Sequence, residues 1–145
     1  MNKTMSYVGL LGGALIVIAT FLPWATISIF NETSSFNGLQ GDGWISLISG
    51  IIYIVCILMV EKKPVLKIVG LIFAVIALLI GIYEFMQLKK GVGDSGDNAL
   101  LTEMVKNMIT IGYGLYVLIA GAVIAIVGAL MIKKATPANT EASPN

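Results

Sequence analysis

Four stretches, Tyr7 to Leu22, Ile45 to Val60, Val65 to Tyr83 and Ile109 to Ile132, are almost without charge and each holds 16 or more residues of a 145-residue chain. Hydrocarbon offers no hydrogen-bond partner to a peptide group. A segment that enters it must therefore close its own backbone bonds, and a single segment does so only as a helix. About 20 helical residues at about 1.5 Å each cross a core of about 30 Å. The first two stretches approach that length once Ser6, Pro23, Trp24 and Trp44 are added at the interface, where aromatic rings favour the headgroup level. With 57% hydrophobic and 12% charged residues, the chain holds more apolar side chain than a water-soluble domain of this size can hide. The expectation is an all-α membrane protein, a four-transmembrane-helix bundle over residues 1–134. Its helices fall at about 6–23, 44–60, 64–90 and 99–133, and a cytoplasmic tail, 135–145, is too polar and proline-rich to order.

Orientation follows from the lysines, which are the only basic residues. Lys3, Lys62, Lys63, Lys67, Lys133 and Lys134 fall on one side, whereas Lys89, Lys90 and Lys106 share the other with Glu84, Asp94, Asp97 and Glu103. Positive residues are retained in the cytoplasm, so both termini are expected there, in a multi-pass protein of the plasma membrane. The loop from Ala25 to Gly43 carries Glu32 and Asp42 and no lysine, consistent with the outer side. A short basic start before an apolar stretch also fits a signal peptide. Phe21-Leu-Pro-Trp24 is no small-residue cleavage site, however, and three more spans follow, so the first helix is expected to be retained.

Glu61-Lys-Lys-Pro64 predicts a tight turn that makes the second and third helices antiparallel neighbours. In the outer loop, the alternation of Ala25-Thr-Ile-Ser-Ile-Phe30 and the polar Asn31-Glu-Thr-Ser-Ser35 signal a small extracellular β-hairpin between helices 1 and 2. An isolated hairpin is marginal in water, so it is expected to rest on the helix ends with Trp24 and Trp44 as its floor. Helical extensions are predicted after the third span, to Lys90, and before the fourth, from Leu100. The turn Gly91 to Asn98 joins them, with Asp97 or Asn98 as cap.

Helices in lipid associate at small residues that let backbones approach. Such residues recur at spacing four: Gly9 and Gly13; Ser46 and Gly50; Gly70 and Ala74, Ala77 and Gly81; Gly121, Ala125 and Ala129. Packing within the chain is expected of these stripes, with homo-oligomerisation through the first or the fourth as the alternative.

Chemistry is limited by what is missing. There is no histidine and one cysteine, Cys56, inside an apolar run, so no histidine triad, histidine metal site or thiolate cluster can be built. The Gly91 to Gly96 loop lacks the Gly-Lys-Ser/Thr ending of a phosphate loop, and Asp94, Asp97 and Asn98 do not follow a calcium-loop spacing. No paired acids can be assembled in a membrane pocket. A net charge of +1 provides no field for nucleic acid. The expectation is a non-enzymatic protein without cofactor or metal, acting through outer-loop contacts with a membrane-protein partner in an immunity- or envelope-stress-type role. Trp24, Trp44, Asp42 and Glu84 are the candidate outer-face residues. The alternative is a small-molecule or ion pathway, as an oligomer or an accessory transporter subunit, lined by Ser46, Ser49, Tyr53, Tyr113 and Tyr116.

Phe21-Leu-Pro-Trp24 closing the first span and Gly41-Asp-Gly-Trp44 opening the second resemble the outer-loop pattern of small, mostly uncharacterised bacterial four-span proteins. That resemblance implies fold and location, and brings no catalytic residue with it. Trp24 and the later Gly38-Leu39 pair are also similar to a pattern in claudin-like tetraspan proteins, whose paired loop cysteines have no counterpart here. Only the topology is implied by that likeness.

Overall fold

The computed structural model describes residues 3–93 and 99–132. Three helices are long and apolar enough to cross a membrane: α1 (Lys3–Phe21), α3 (Val65–Gly93) and α5 (Tyr113–Met131). A fourth apolar helix, α2 (Gly43–Met59), has 17 residues. These four form a ring in which α1 touches α2 and α5, and α3 touches the same two from the opposite side. The turn after α2 is tight, Lys62 N and Lys63 N both donating to Met59 O, and α2 packs along α3.

All eleven small residues of the four stripes are buried. They do not all face the same neighbour. Gly9 lies against Gly128 of α5, where a Cβ built on Gly128 would sit 2.5 Å from the Cα of Gly9. Gly12, one residue before the stripe position, lies directly on the backbone of Ala125, and Gly121 faces Leu15 and Ile16. Gly13 instead faces Tyr53 and Ile54 of α2. The α1–α5 seam is thus a backbone-to-backbone contact that only glycine and alanine permit.

Tyr53 of α2 fills the middle of the ring. Its side chain is fully buried, with Gly9 and Gly13 of α1 on one side and Gly70 of α3 on another. Its hydroxyl donates to the carbonyl oxygen of Ala125 on α5 at 2.6 Å. One side chain therefore contacts all four helices, and its single polar group is satisfied by a carbonyl with a spare lone pair. At the turn end, the Lys67 amine of α3 donates to Ile132 O and Leu130 O, supplying partners for carbonyls that the end of α5 leaves open.

At the other end a three-stranded antiparallel sheet of order β2-β1-β3 is built from β1 (Pro23–Ile29), β2 (Glu32–Asn37) and β3 (Ile109–Ile111). The hairpin expected between the first two helices is therefore present, and a third strand joins it. Its two-residue turn, Phe30-Asn31, has φ of 46° and 67°, the doubly positive conformation that matches the twist of a hairpin. A register shift between Pro23 and Ala25 makes Trp24 the extra residue.

The structure departs from the sequence expectation at the fourth span. Helix is expected without a break over 99–133, but α4 (Ala99–Met108) ends at Met108, Ile109–Ile111 form β3, and α5 begins only at Tyr113. The cause is tertiary. Ile109, Thr110 and Ile111 are β-branched, Gly112 follows, and the open edge of β1 accepts them in the register Ala25 to Ile111, Thr26 to Thr110 and Ile27 to Ile109. Gly112 N then donates to Trp24 O at 2.7 Å. The first helix likewise stops at Phe21, because Pro23 opens a strand. Residues Asp94 to Asn98 of the expected turn and the tail from Ala135 lie outside the described residues, as do Lys133 and Lys134.

Candidate functional site

Side chains alternate across a strand, so the register divides the sheet into two faces. Thr26, Ser28, Thr33, Ser35 and Thr110 share one face, on which the hydroxyls of Ser28 and Thr33 lie 3.5 Å apart. Ala25, Ile27, Ile29, Phe36, Ile109 and Ile111 share the other, with Ser34 and Glu32. Near the helices this apolar face is covered: Ala25 is buried and Ile27 and Ile111 are half-buried. Toward the hairpin tip it is open, with Ile29 47%, Phe36 43% and Phe30 94% exposed.

Two cavities lie along this face. One of about 530 Å³ is lined by Ile27, Ile29, Phe30, Glu32, Ser34 and Phe36. The other, of about 300 Å³, is lined by Trp24, Ala25, Ile27, Phe36, Asn37, Gln40, Gly41, Glu84 and Leu88. Ile27 and Phe36 line both, so the two adjoin there and together make a groove in two parts along this face, from the hairpin tip toward the helix ends.

Trp24 anchors the inner half. It is 5% exposed, its indole N–H donates to Ala19 O at 2.8 Å, and Gly38 presses on its ring so closely that a Cβ there would sit 2.6 Å from Cε2. Trp24 and Gly38, fourteen residues apart in the chain, thus meet at one contact. The short 3-10 turn Gly38–Gln40 follows, held by Asn37 N donating to Gln40 Oε1 at 3.2 Å.

Of the four expected outer-face residues, Trp24 and Glu84 line the groove. Asp42, at the N-cap of α2, lines neither cavity, though it lies near enough to Glu84 for the two negative charges to oppose each other. Trp44 does not join them. It is 54% exposed and lines neither cavity, because Gly43 and Ser46 take the buried side of the first turn of α2 and turn it outward. The expected floor of two tryptophans is therefore a floor of one.

The polar candidates for a pathway are scattered. Ser46, Ser49 and Tyr53 are buried within the helix ring, whereas Tyr113 and Tyr116 are exposed, Tyr116 meeting the Phe85 ring edge-on at 5.8 Å. Lys89 sits 5.5 Å over the same Phe85 ring and is not among the residues that line the groove. Among the described residues no three acidic, cysteine or histidine side chains gather as a metal site would require.

Sequence reasoning missed Phe30, Ile29 and Phe36 as site residues. The alternation of Ala25, Ile27 and Ile29 carried the signal for Ile29 alone, without telling which face the helices leave uncovered, while Phe30 lies in the turn and Phe36 on the polar second strand. No family model, no curated protein and no solved structure matches the chain.

Proposed function

We propose that this chain is a non-enzymatic protein of a bacterial plasma membrane that acts by contact. α1, α2, α3 and α5 each cross the bilayer, both termini lie in the cytoplasm, and the sheet is outside, where it meets a membrane partner in an immunity- or envelope-stress-type role. The observation that carries this reading is a contrast in covering. The interior of the helix ring is closed by Tyr53 and by glycine and alanine, while the apolar face of the sheet stays open. A pathway needs polar side chains converging on a passage. Here the central position holds a tyrosine whose hydroxyl is already bonded. The lysine distribution favours this orientation, with the Glu61 to Pro64 turn inside.

The test has two parts. In a chain with Cys56→Ala, single cysteines at Glu32 and at Lys62 are probed in intact cells with a membrane-impermeant maleimide. Labelling at residue 32 alone is expected, and labelling at residue 62 alone overturns the orientation. A photo-crosslinking residue at position 30 is then expected to capture a discrete membrane partner that the same residue at the outward-facing Leu58 does not. Identical adducts from both positions would overturn the contact reading.

A further inference from the structure

The open half of the sheet raises a question that folding alone does not answer. In a two-residue hairpin turn with both φ positive, asparagine, aspartate and glycine are the favoured residues, and a bulky side chain there is strained. This chain places Phe30 in the first of those positions, at φ 46° and 94% exposed. The residue stabilises neither the turn nor a core. With Ile29 and Phe36 it forms the outer wall of the 530 Å³ cavity, and strain that persists at an exposed aromatic points to a contact made with something else.

Charge selects the occupant. Glu32 stands at the tip end of the groove, and Glu84 stands at the other. Among the described residues no lysine lines either cavity. An anionic lipid headgroup is repelled at both ends. The groove runs the length of β1, seven residues or about 20 Å at the rise of a strand, too long for a single small amine and suited to a peptide segment. We infer that the apolar face of the sheet, from Phe30 to Trp24, is a docking groove for a cationic amphipathic peptide segment, its apolar side chains on Ile27, Ile29 and Phe36 and its positive charges on Glu32 and Glu84. This rests on the reading that the sheet end contacts a partner, and it names that partner's chemistry.

The full-length chain in phosphatidylcholine nanodiscs is titrated by calorimetry with a decapeptide of alternating leucine and lysine, against empty discs and against the leucine–glutamate counterpart. Saturable binding of the lysine peptide is expected, with none of the glutamate peptide. Glu32→Gln with Glu84→Gln is expected to weaken it at least tenfold. Phe30→Asn relieves the turn and leaves the fold intact, so a fivefold or greater loss of affinity in that variant cannot come from misfolding. Equal binding of the two peptides, or an affinity unchanged in both variants, overturns the proposal. So does a fall in particle mass by light scattering in Phe30→Asn, which would assign the face to a second copy of the chain. If the lysine peptide fails to bind while position 30 still captures a partner in cells, the peptide chemistry is wrong and the contact reading stands. If the peptide binds but no partner is captured, the contact reading fails alone.

Discussion

The seam between α1 and α5 and the outer half of the sheet both present apolar side chains, yet they differ in what surrounds them. At the seam Gly9, Gly12, Gly121, Ala125 and Gly128 bring two backbones into contact, and no side chain larger than a methyl fits. On the sheet Ile29, Phe30 and Phe36 project without a covering element among the described residues. In lipid, burial by itself drives little, because the alternative solvent is equally apolar. Close packing and satisfied polar groups decide instead. The helix ring should therefore respond to the smallest added volume, and the sheet face should tolerate the loss of whole side chains.

The sharpest break of that contrast is Gly12→Leu. Its side chain has nowhere to go, because the position of a Cβ is already occupied by the Ala125 backbone. A loss of about 3 kcal/mol or more is expected from such overpacking. Unfolding by titration with sodium dodecyl sulfate in dodecyl maltoside micelles measures it. A variant as stable as the parent would show that α1 and α5 do not meet there. Next in size is Tyr53→Phe, which keeps the ring between Gly9, Gly13 and Gly70 but removes the bond to Ala125 O. The carbonyl keeps its helical partner, so the expected loss is about 1 kcal/mol in the same titration.

The helical framework was legible because hydropathy reports a physical requirement. A peptide in hydrocarbon must bond to itself, so a long apolar run reads as a helix, which holds here for all four runs except the first residues of the fourth. The small-residue stripes were legible for the same kind of reason, but only as stripes. Gly9 and Gly13 sit at spacing four on α1 and yet face different helices, and Gly12, which makes the tightest contact, falls outside the pattern. β3 was not legible, since three residues carry almost no periodicity and their conformation depends on β1, more than eighty positions earlier. The proximity of Asp42 to Glu84 and the outward turn of Trp44 were hidden likewise. Both depend on how the helices are phased against one another, which composition does not encode.

Ser46 tests whether burial or satisfaction governs the helix ring. Its side chain is fully buried on α2 and its hydroxyl has no hydrogen-bond partner among the described residues, unlike that of Tyr53. Removing a buried polar group that bonds to nothing relieves its desolvation cost. Ser46→Ala should therefore raise stability, by about 0.5 kcal/mol. A loss of stability would show that the hydroxyl is bonded after all.

The smallest effect is expected where the side chains removed are largest. Ile29→Ser with Phe36→Ser deletes two apolar residues from the open face of the sheet, each exposed over more than two fifths of its surface. The strand pairing between β1 and β2 is carried by the backbone and by the turn, and the serine hydroxyls find water. A change of roughly a few tenths of a kcal/mol is expected for such exposed positions, measured by the same detergent titration that registers Gly12→Leu. The double variant should nonetheless lose the photo-crosslink at position 30, because these two side chains wall the groove beside it. Stability and contact would then separate on one face of one sheet. A large destabilisation instead would mean that Ile29 and Phe36 are covered by the chain itself, and the contrast between a closed ring and an open face would fail.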